Sequence, residues 1–333
     1  MFSKERKMAW FILTLACIIL WAVTDVLYRA SSDKNDNLSH YKTFVWIGIV
    51  MALAGGIMCT WTDTLLTSLD AIKYDLVYLI PLCFVYALAL LLGLYGKKHL
   101  YASIISPIEN SGGAITAIII YYYYLLTGYM DPSYTIGVLD VIATISIIVG
   151  VALVGKEEQA LFKKELALPE DKREHRYGAL ALFFPIIYTL ADVFSTAEIG
   201  GVSGNSGMVT SGDIDAIPAI DFFIFECVGF AFVALCVWLY MLIVKKHAYN
   251  PFDEGELIRC GAATGETFGT MTFILAAGIN PVFTAPVTSL HCLLTVLLAH
   301  IFLKERLTKK QYISLAFLAV GIILLGISGI LSA

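Results

Sequence analysis

The chain has 333 residues, 59% of them hydrophobic and only 15% charged, with a mean hydropathy of +0.79. Soluble domains carry about 25% charged residues, so this composition excludes an ordinary water-soluble globule and points to a polytopic membrane protein. The formal net charge of −5 discriminates little by itself; the positions of the charges carry the information.

Hydropathy predicts ten spans, each near the length needed to cross about 30 Å of hydrocarbon. They lie at about 8–30, 41–61, 75–96, 101–127, 133–154, 177–198, 217–244, 256–278, 281–303 and 310–331. Strands are not expected, because an open sheet edge stays unsatisfied in lipid and the runs do not alternate as a barrel requires. Lys4, Arg6 and Lys7 precede the first apolar run. That run is long enough to span and has no small-residue cleavage site, so it reads as a helix rather than a cleavable leader. Two connections are longer than the rest. Lys156 to Arg176 is dense in both charge signs and reads as a solvated hinge. Gly200 to Asp215 is rich in Gly and Ser and lacks the G-x-x-x-x-G-K pattern of a nucleotide-cradling loop. The Tyr121–Tyr124 run reads as an interfacial belt.

The two halves echo each other. Trp21 and Asp25 in span 1 can be laid on Tyr188 and Asp192 in span 6. Ser106-Pro107-Ile108-Glu109-Asn110 in span 4 can be laid on Ala285-Pro286-Val287-Thr288-Ser289 in span 9, and Thr116 then falls on Thr295. Val149-Gly150-Val151 and Val320-Gly321-Ile322 close spans 5 and 10. Units of five spans must lie in opposite orientations, which predicts a 5+5 inverted repeat with a site at the repeat interface. The expected organisation is a first repeat over 1–155, a charged connection over 156–176 and a second repeat over 177–333. The loops and flanks after spans 1, 3, 5, 7 and 9 hold 18 of the 22 Lys and Arg residues. By the positive-inside rule this places the middle connection in the cytoplasm and both termini outside.

Five carboxylates fall within the spans: Asp25, Glu109, Asp192, Glu226 and Glu266. On insertion scales each costs about 3 kcal/mol at the bilayer centre, or about 15 kcal/mol together. They are therefore expected to face a polar cavity rather than lipid. Asp25 pairs with Asp192 in the halves' alignment; its local alternative is an ion pair with Arg29 one turn on. Glu109 follows Pro107, which frees a backbone carbonyl, and Asn110 is beside it. Glu266 lies in the row Gly261-x-x-x-Gly265-x-x-x-Gly269. It points about 100° away from that row, so the glycines can meet a neighbouring helix while the acid meets the cavity. Glu226 sits in an aromatic setting as a candidate proton carrier. His291 lies midway along span 9. Trp21, Tyr188, Trp46 and Tyr86 offer faces for a cation.

The spans hold no deeply placed Lys or Arg by this reading, which disfavours an anionic cargo. The seven cysteines are scattered through apolar segments without metal-ligand or disulfide spacing. No metal or cofactor is expected. No G-x-S-x-G or H-E-x-x-H occurs, and an enzyme is disfavoured.

Leu303-Lys304-Glu305-Arg306-Leu307-Thr308 before a Gly-containing last helix, the prolines opening spans 4 and 9, and Ile19-Leu20-Trp21 in span 1 resemble the EamA-like branch of the drug/metabolite transporter superfamily. The matching place in the first half, Thr127 to Asp131, lacks the Glu-Arg pair. The resemblance implies the 5+5 inverted repeat, a central cavity and alternating access. It also implies cytosolic termini, against the charge tally. The expectation is a secondary transporter of a small organic cation or amine-bearing metabolite, coupled to protons. The alternative is an exporter of amino acids or other neutral metabolites. The expected setting is the plasma (cytoplasmic) membrane, with a small-molecule substrate, lipid and protons as partners, as a monomer or homodimer and without nucleic acid.

Overall fold

Long apolar runs without turn chemistry leave the helix as the one open-chain state that satisfies its own backbone without water. The computed structural model describes residues 4–33, 36–61, 80–112, 137–167, 178–203, 219–253, 255–279 and 281–331, and contains no strand among them. The helices are α1 (Lys4–Ser31), α2 (Ser39–Trp61), α3 (Ile80–His99), α4 (Ala102–Glu109) and α5 (Val138–Leu166). A 3-10 turn at Gly178–Leu182 leads into α6 (Phe183–Ser203). They continue with α7 (Ala219–Ile243), α8 (Leu257–Ile279), α9 (Pro281–Thr288), α10 (His291–Phe302) and α11 (Lys309–Leu331).

Three stretches, Met8–Ser31, Ser39–Thr60 and Phe222–Ile243, are long and apolar enough to cross a membrane. Their outer faces are apolar at helical spacing: Phe11, Ile12, Leu15 and Ile19 on α1, and Val228, Phe232, Leu235 and Leu239 on α7 are exposed. The buried set, in contrast, includes Asp25, Lys97, Glu109, Glu226 and Glu266. Apolar residues outside and charges inside are what lipid selects. The chain is an integral membrane protein.

The expected spans differ from the helices in three places. The run 281–303 is two helices, α9 and α10, meeting at a tight turn. Pro286 lacks the N–H that would bond the Val282 carbonyl, and at the end of the helix Thr288 Oγ1 donates to Thr284 O at 2.8 Å and Ser289 Oγ to Ala285 O at 2.8 Å. In the other half, α4 ends at Glu109, the residue aligned with Thr288, where α9 ends.

Second, the connection expected from Lys156 is helical to Leu166. Its acids are buried rather than solvated. Glu157 accepts from Thr308 Oγ1 at 3.3 Å, and Glu158 accepts from Gln311 Nε2 at 2.7 Å at the start of α11. Third, α6 runs on through Gly200 to Ser203. The tyrosine run, Thr127 to Asp131 and the rest of the Gly/Ser-rich connection lie outside the described residues.

Packing follows a pattern. α2 packs on α7, α5 on α11 and α4 on α10; α1 packs on α8 as α3 does on α6, and α2 on α8 as α3 does on α7. Exchanging the first five spans for the second five in order maps this set of pairs onto itself. Helix α1 meets the glycine row of α8: a Cβ at Gly269 would fall 2.5 Å from Trp21 Cδ1, one at Gly265 would strike Thr24, and one at Gly261 would touch Leu27. Removing three side chains from one face lets the two backbones approach closely.

Candidate functional site

Where α1, α3, α4, α6, α8 and the α9–α10 turn converge, they line a cavity of about 50 Å³. That is room for a few water molecules and too little for a metabolite with the side chains as they stand. Helical periodicity delivers the lining. α1 contributes Trp21, Asp25 and Tyr28; α3 contributes Tyr86, Leu90 and Lys97; α6 contributes Tyr188 and Asp192; α8 contributes Glu266 and Phe273. In each case the spacing is three, four or seven residues, one face of a helix. The ends of α4 and α9 add Glu109, Asn110, Thr288, Ser289 and His291.

The centre of the site is a residue that hydropathy placed at a span end. Lys97 is 2% exposed. Its ammonium donates to Asp25 Oδ1 at 2.9 Å and to Glu109 Oε2 at 2.5 Å, and it stands 5.8 Å from the centre of the Tyr28 ring. The expectation of an interior without a buried cation is therefore corrected. Lys97 and Lys98 together look like an interfacial pair, yet the helix turn between them separates their fates: Lys98 donates outward to the Asp36 carbonyl at 2.9 Å. The signal lay in the α3 stripe Tyr86, Leu90, Gly93, Lys97, which runs at helical spacing to the lysine. Glu109 Oε1 is buried without a hydrogen-bond partner and lies over Gly93, where a Cβ would come within 3.0 Å of it.

Asp25 is held on every side. Besides Lys97, its Oδ2 accepts from Ser106 Oγ at 2.5 Å and Thr295 Oγ1 at 3.2 Å, and His291 Nε2 stands 3.5 Å away. Its expected alternative partner, Arg29, points elsewhere. Arg29 donates to the carbonyls of Lys97 at 3.0 Å and Lys98 at 3.3 Å, capping the end of α3, and its Nε lies 3.7 Å from Glu305. His291 is placed by Thr288 O at Nδ1, 2.9 Å, and by Asn110 Nδ2 at Nε2, 3.0 Å. The carbonyl only accepts, so Nδ1 carries a hydrogen toward Thr288 O. Glu266 accepts from the Tyr28 hydroxyl at 3.0 Å. Tyr86 and Tyr188 share a hydrogen bond of 3.1 Å, and Trp21 packs 5.4 Å from His291 and 5.3 Å from Phe273.

Of the residues singled out from sequence, Trp21, Asp25, Glu109, Asn110, Tyr188, Asp192, Glu266 and His291 all line this one cavity. Glu226 does not. It is buried on α7, which packs on α2, α3 and α8, within electrostatic reach of the cavity acids Glu266 and Asp192. Trp46 also lies away from the cavity, edge-on to Phe252 at 6.2 Å. Lys97, Tyr28 and Ser106 are the functional candidates that sequence reasoning missed. No set of three or more His, Cys, Asp or Glu residues among the described residues forms a metal-binding group.

At the end of the bundle that holds Arg29, Glu305 reaches back from the loop before α11. Its carboxylate accepts from the backbone amides of Ala102 at 2.9 Å and Ser103 at 3.0 Å, and from Ser103 Oγ at 2.5 Å. It thus caps the start of α4 from more than 200 residues away in sequence. At the opposite end of α1, Trp10 Nε1 donates to Thr284 Oγ1 at 2.8 Å.

No curated protein matches this chain. A solved structure described only as "Crystal structure of protein" is similar over 97% of this chain and 98% of its own, with a TM-score of 0.57 and 12% identity, a likeness of fold alone. Residues 202–327 match the EamA-like transporter family, a family of transporters rather than enzymes. The resemblance read in the last helix and its preceding loop is thereby borne out: this stretch carries the EamA-like pattern, consistent with the drug/metabolite transporter superfamily.

Proposed function

We propose that the protein is a secondary active transporter of a small organic cation or amine-bearing metabolite, working by alternating access between two inverted five-span repeats and coupled to protons. The family match points to small-molecule transport of the drug/metabolite type. The observation that carries the cargo class is the convergence of Asp25, Glu109, Asp192 and Glu266 on one cavity that contains a single lysine. Acids outnumber the cation, so the chamber offers a negative field to what enters. Tyr28, Tyr86, Tyr188 and Trp21 supply aromatic faces beside it. The exchange symmetry of the helix pairs supports the repeat. The small cavity must widen to admit cargo, as an alternating-access cycle requires. Protonation of a cavity carboxylate on one side of the membrane and its release on the other would couple the cycle to a proton gradient.

Glu266→Gln is the most direct test. It keeps the acceptor for the Tyr28 hydroxyl while removing the charge, so insertion and folding should survive. In proteoliposomes it should abolish saturable amine uptake and counterflow; uptake at the wild-type level would remove Glu266 from the site. One observation favours a second reading, carriage of amino acids or other neutral metabolites. Lys97 and Asn110 offer the cavity a partner for a carboxylate. An organic-cation carrier discriminates against the neutral isostere of its cargo, and a neutral-metabolite exporter does not.

A further inference from the structure

We propose that Asp25 and Glu109 form a binding site for a primary alkylammonium group, that Lys97 fills this site from within, and that the cargo ammonium takes the place of Lys97 Nζ when the lysine withdraws. The proposal deepens the transport reading and rests on it for the identity of the displacing ligand. The side chain of lysine ends in a primary amine on a four-carbon chain. Its position is therefore a direct picture of how such a head group is held: one N–H to Asp25 Oδ1 at 2.9 Å, one to Glu109 Oε2 at 2.5 Å, and the cation 5.8 Å from the Tyr28 ring centre.

Three features distinguish this arrangement from an ion pair that merely ties helices together. The pair borders the cavity instead of packed apolar side chains. One lysine faces two carboxylates, with Asp192 and Glu266 lining the same chamber, so the charge is not balanced by Lys97 alone. Glu109, 5% exposed, keeps its Oε1 buried without a hydrogen-bond partner, an acceptor already in place for a further donor. Asp25, by contrast, is fixed by Ser106 and Thr295 and would hold its place while occupants change. Both bonds to the ammonium need N–H donors, so the site selects primary amines over quaternary ones, which carry the charge without the donors.

The test is chemical rescue of the full-length chain in detergent at fixed ionic strength. Lys97→Ala empties the site and should lower Tm. Propylammonium should then raise the Tm of K97A by about 3 °C or more in a saturable manner. Tetramethylammonium and propanol should not, D25N/K97A should not respond, and wild type, where Lys97 competes for the site, should shift less than K97A. An equal response of wild type and K97A, or equal rescue by tetramethylammonium, would overturn the proposal. If K97A is recovered only when extracted with propylammonium, that is itself rescue. If it is recovered under neither condition, K97A/E109Q, which removes one acid with the base, goes through the same titration against Asp25, and no response there overturns the proposal. Rescue of K97A without amine flux in wild type would sink the transport reading and leave the site. Amine flux without rescue would do the reverse.

Discussion

At the scale of single residues, the consequential fact is that a lysine just past the end of an expected span lines the polar cavity. The chain reaches this arrangement through absences as much as through charges. Gly93 stands one turn before Lys97 and has no side chain where Glu109 needs room. Gly93→Ala would bring a Cβ within 3.0 Å of Glu109 Oε1 and 3.3 Å of the Tyr188 ring, tighter than relaxed packing allows. The carboxylate must then shift by a few tenths of an ångström from Lys97. Charge-assisted hydrogen bonds weaken with such shifts. The expected result is about a tenfold loss of apparent affinity for amine cargo, equivalent to about 1.4 kcal/mol, with helix content unchanged by circular dichroism. Wild-type affinity in G93A would show that Glu109 is not held in place by that gap. Sequence alone brought out the acids because a carboxylate in lipid is costly enough to notice. It hid Lys97 because a lysine near a helix end is the ordinary interfacial residue, able to extend its charge to the headgroups.

At the scale of elements, hydropathy located the helices well because apolar length is a direct consequence of bilayer thickness. It located their ends poorly. The stretch from Lys156 to Leu166 carries both charge signs and reads as solvated. Yet it continues α5 because Glu157 and Glu158 find Thr308 and Gln311 on the neighbouring chain segment, partners no local pattern reveals. The interruption between α9 and α10 was likewise invisible to a hydropathy window, since Ser289 and Leu290 do not lower it enough to divide the run. The glycine row on α8 was legible, because small residues at every fourth position have one strong physical reading in a membrane. Gly265→Leu should separate α1 from α8, since even a Cβ there meets Thr24. Overpacking of this kind costs about 1–3 kcal/mol or more. It should appear as a lower Tm together with lost uptake, since Trp21, Asp25 and Tyr28 ride on the displaced helix. Gly56, which has open space around its Cβ position, is the matched control.

At the scale of the whole molecule, the protein is polar at its centre and apolar at its rim, and the helix pairs that build the centre come from both halves. That the matched residues Asp25 and Asp192 meet in one cavity was legible from their alignment. The clasp made by Glu305 was not, since its partners are backbone amides of α4 and an arginine of α1 far away in the chain. Glu305→Ala would leave two backbone donors and Ser103 without their acceptor and remove the carboxylate 3.7 Å from Arg29 Nε. Losing a buried charged acceptor costs about 3 kcal/mol, expected as a clear drop in Tm. Glu305→Gln, which keeps an acceptor and loses the charge, should fall between.

The two mouths of the bundle are fastened unequally. One is shut by a carboxylate gripping a helix start and flanked by an arginine; the other, on α1, by an indole donating to a threonine hydroxyl. The first fastening is charged and grips two backbone amides; the second is a neutral hydrogen bond. Under the proposed alternating access, the end held by Trp10 should part more readily than the end held by Glu305, and cysteine labels near Trp10 should react faster than labels near Arg29. The direction in which cargo is most readily taken up would then be written into the hardware of the doors rather than into the chamber between them.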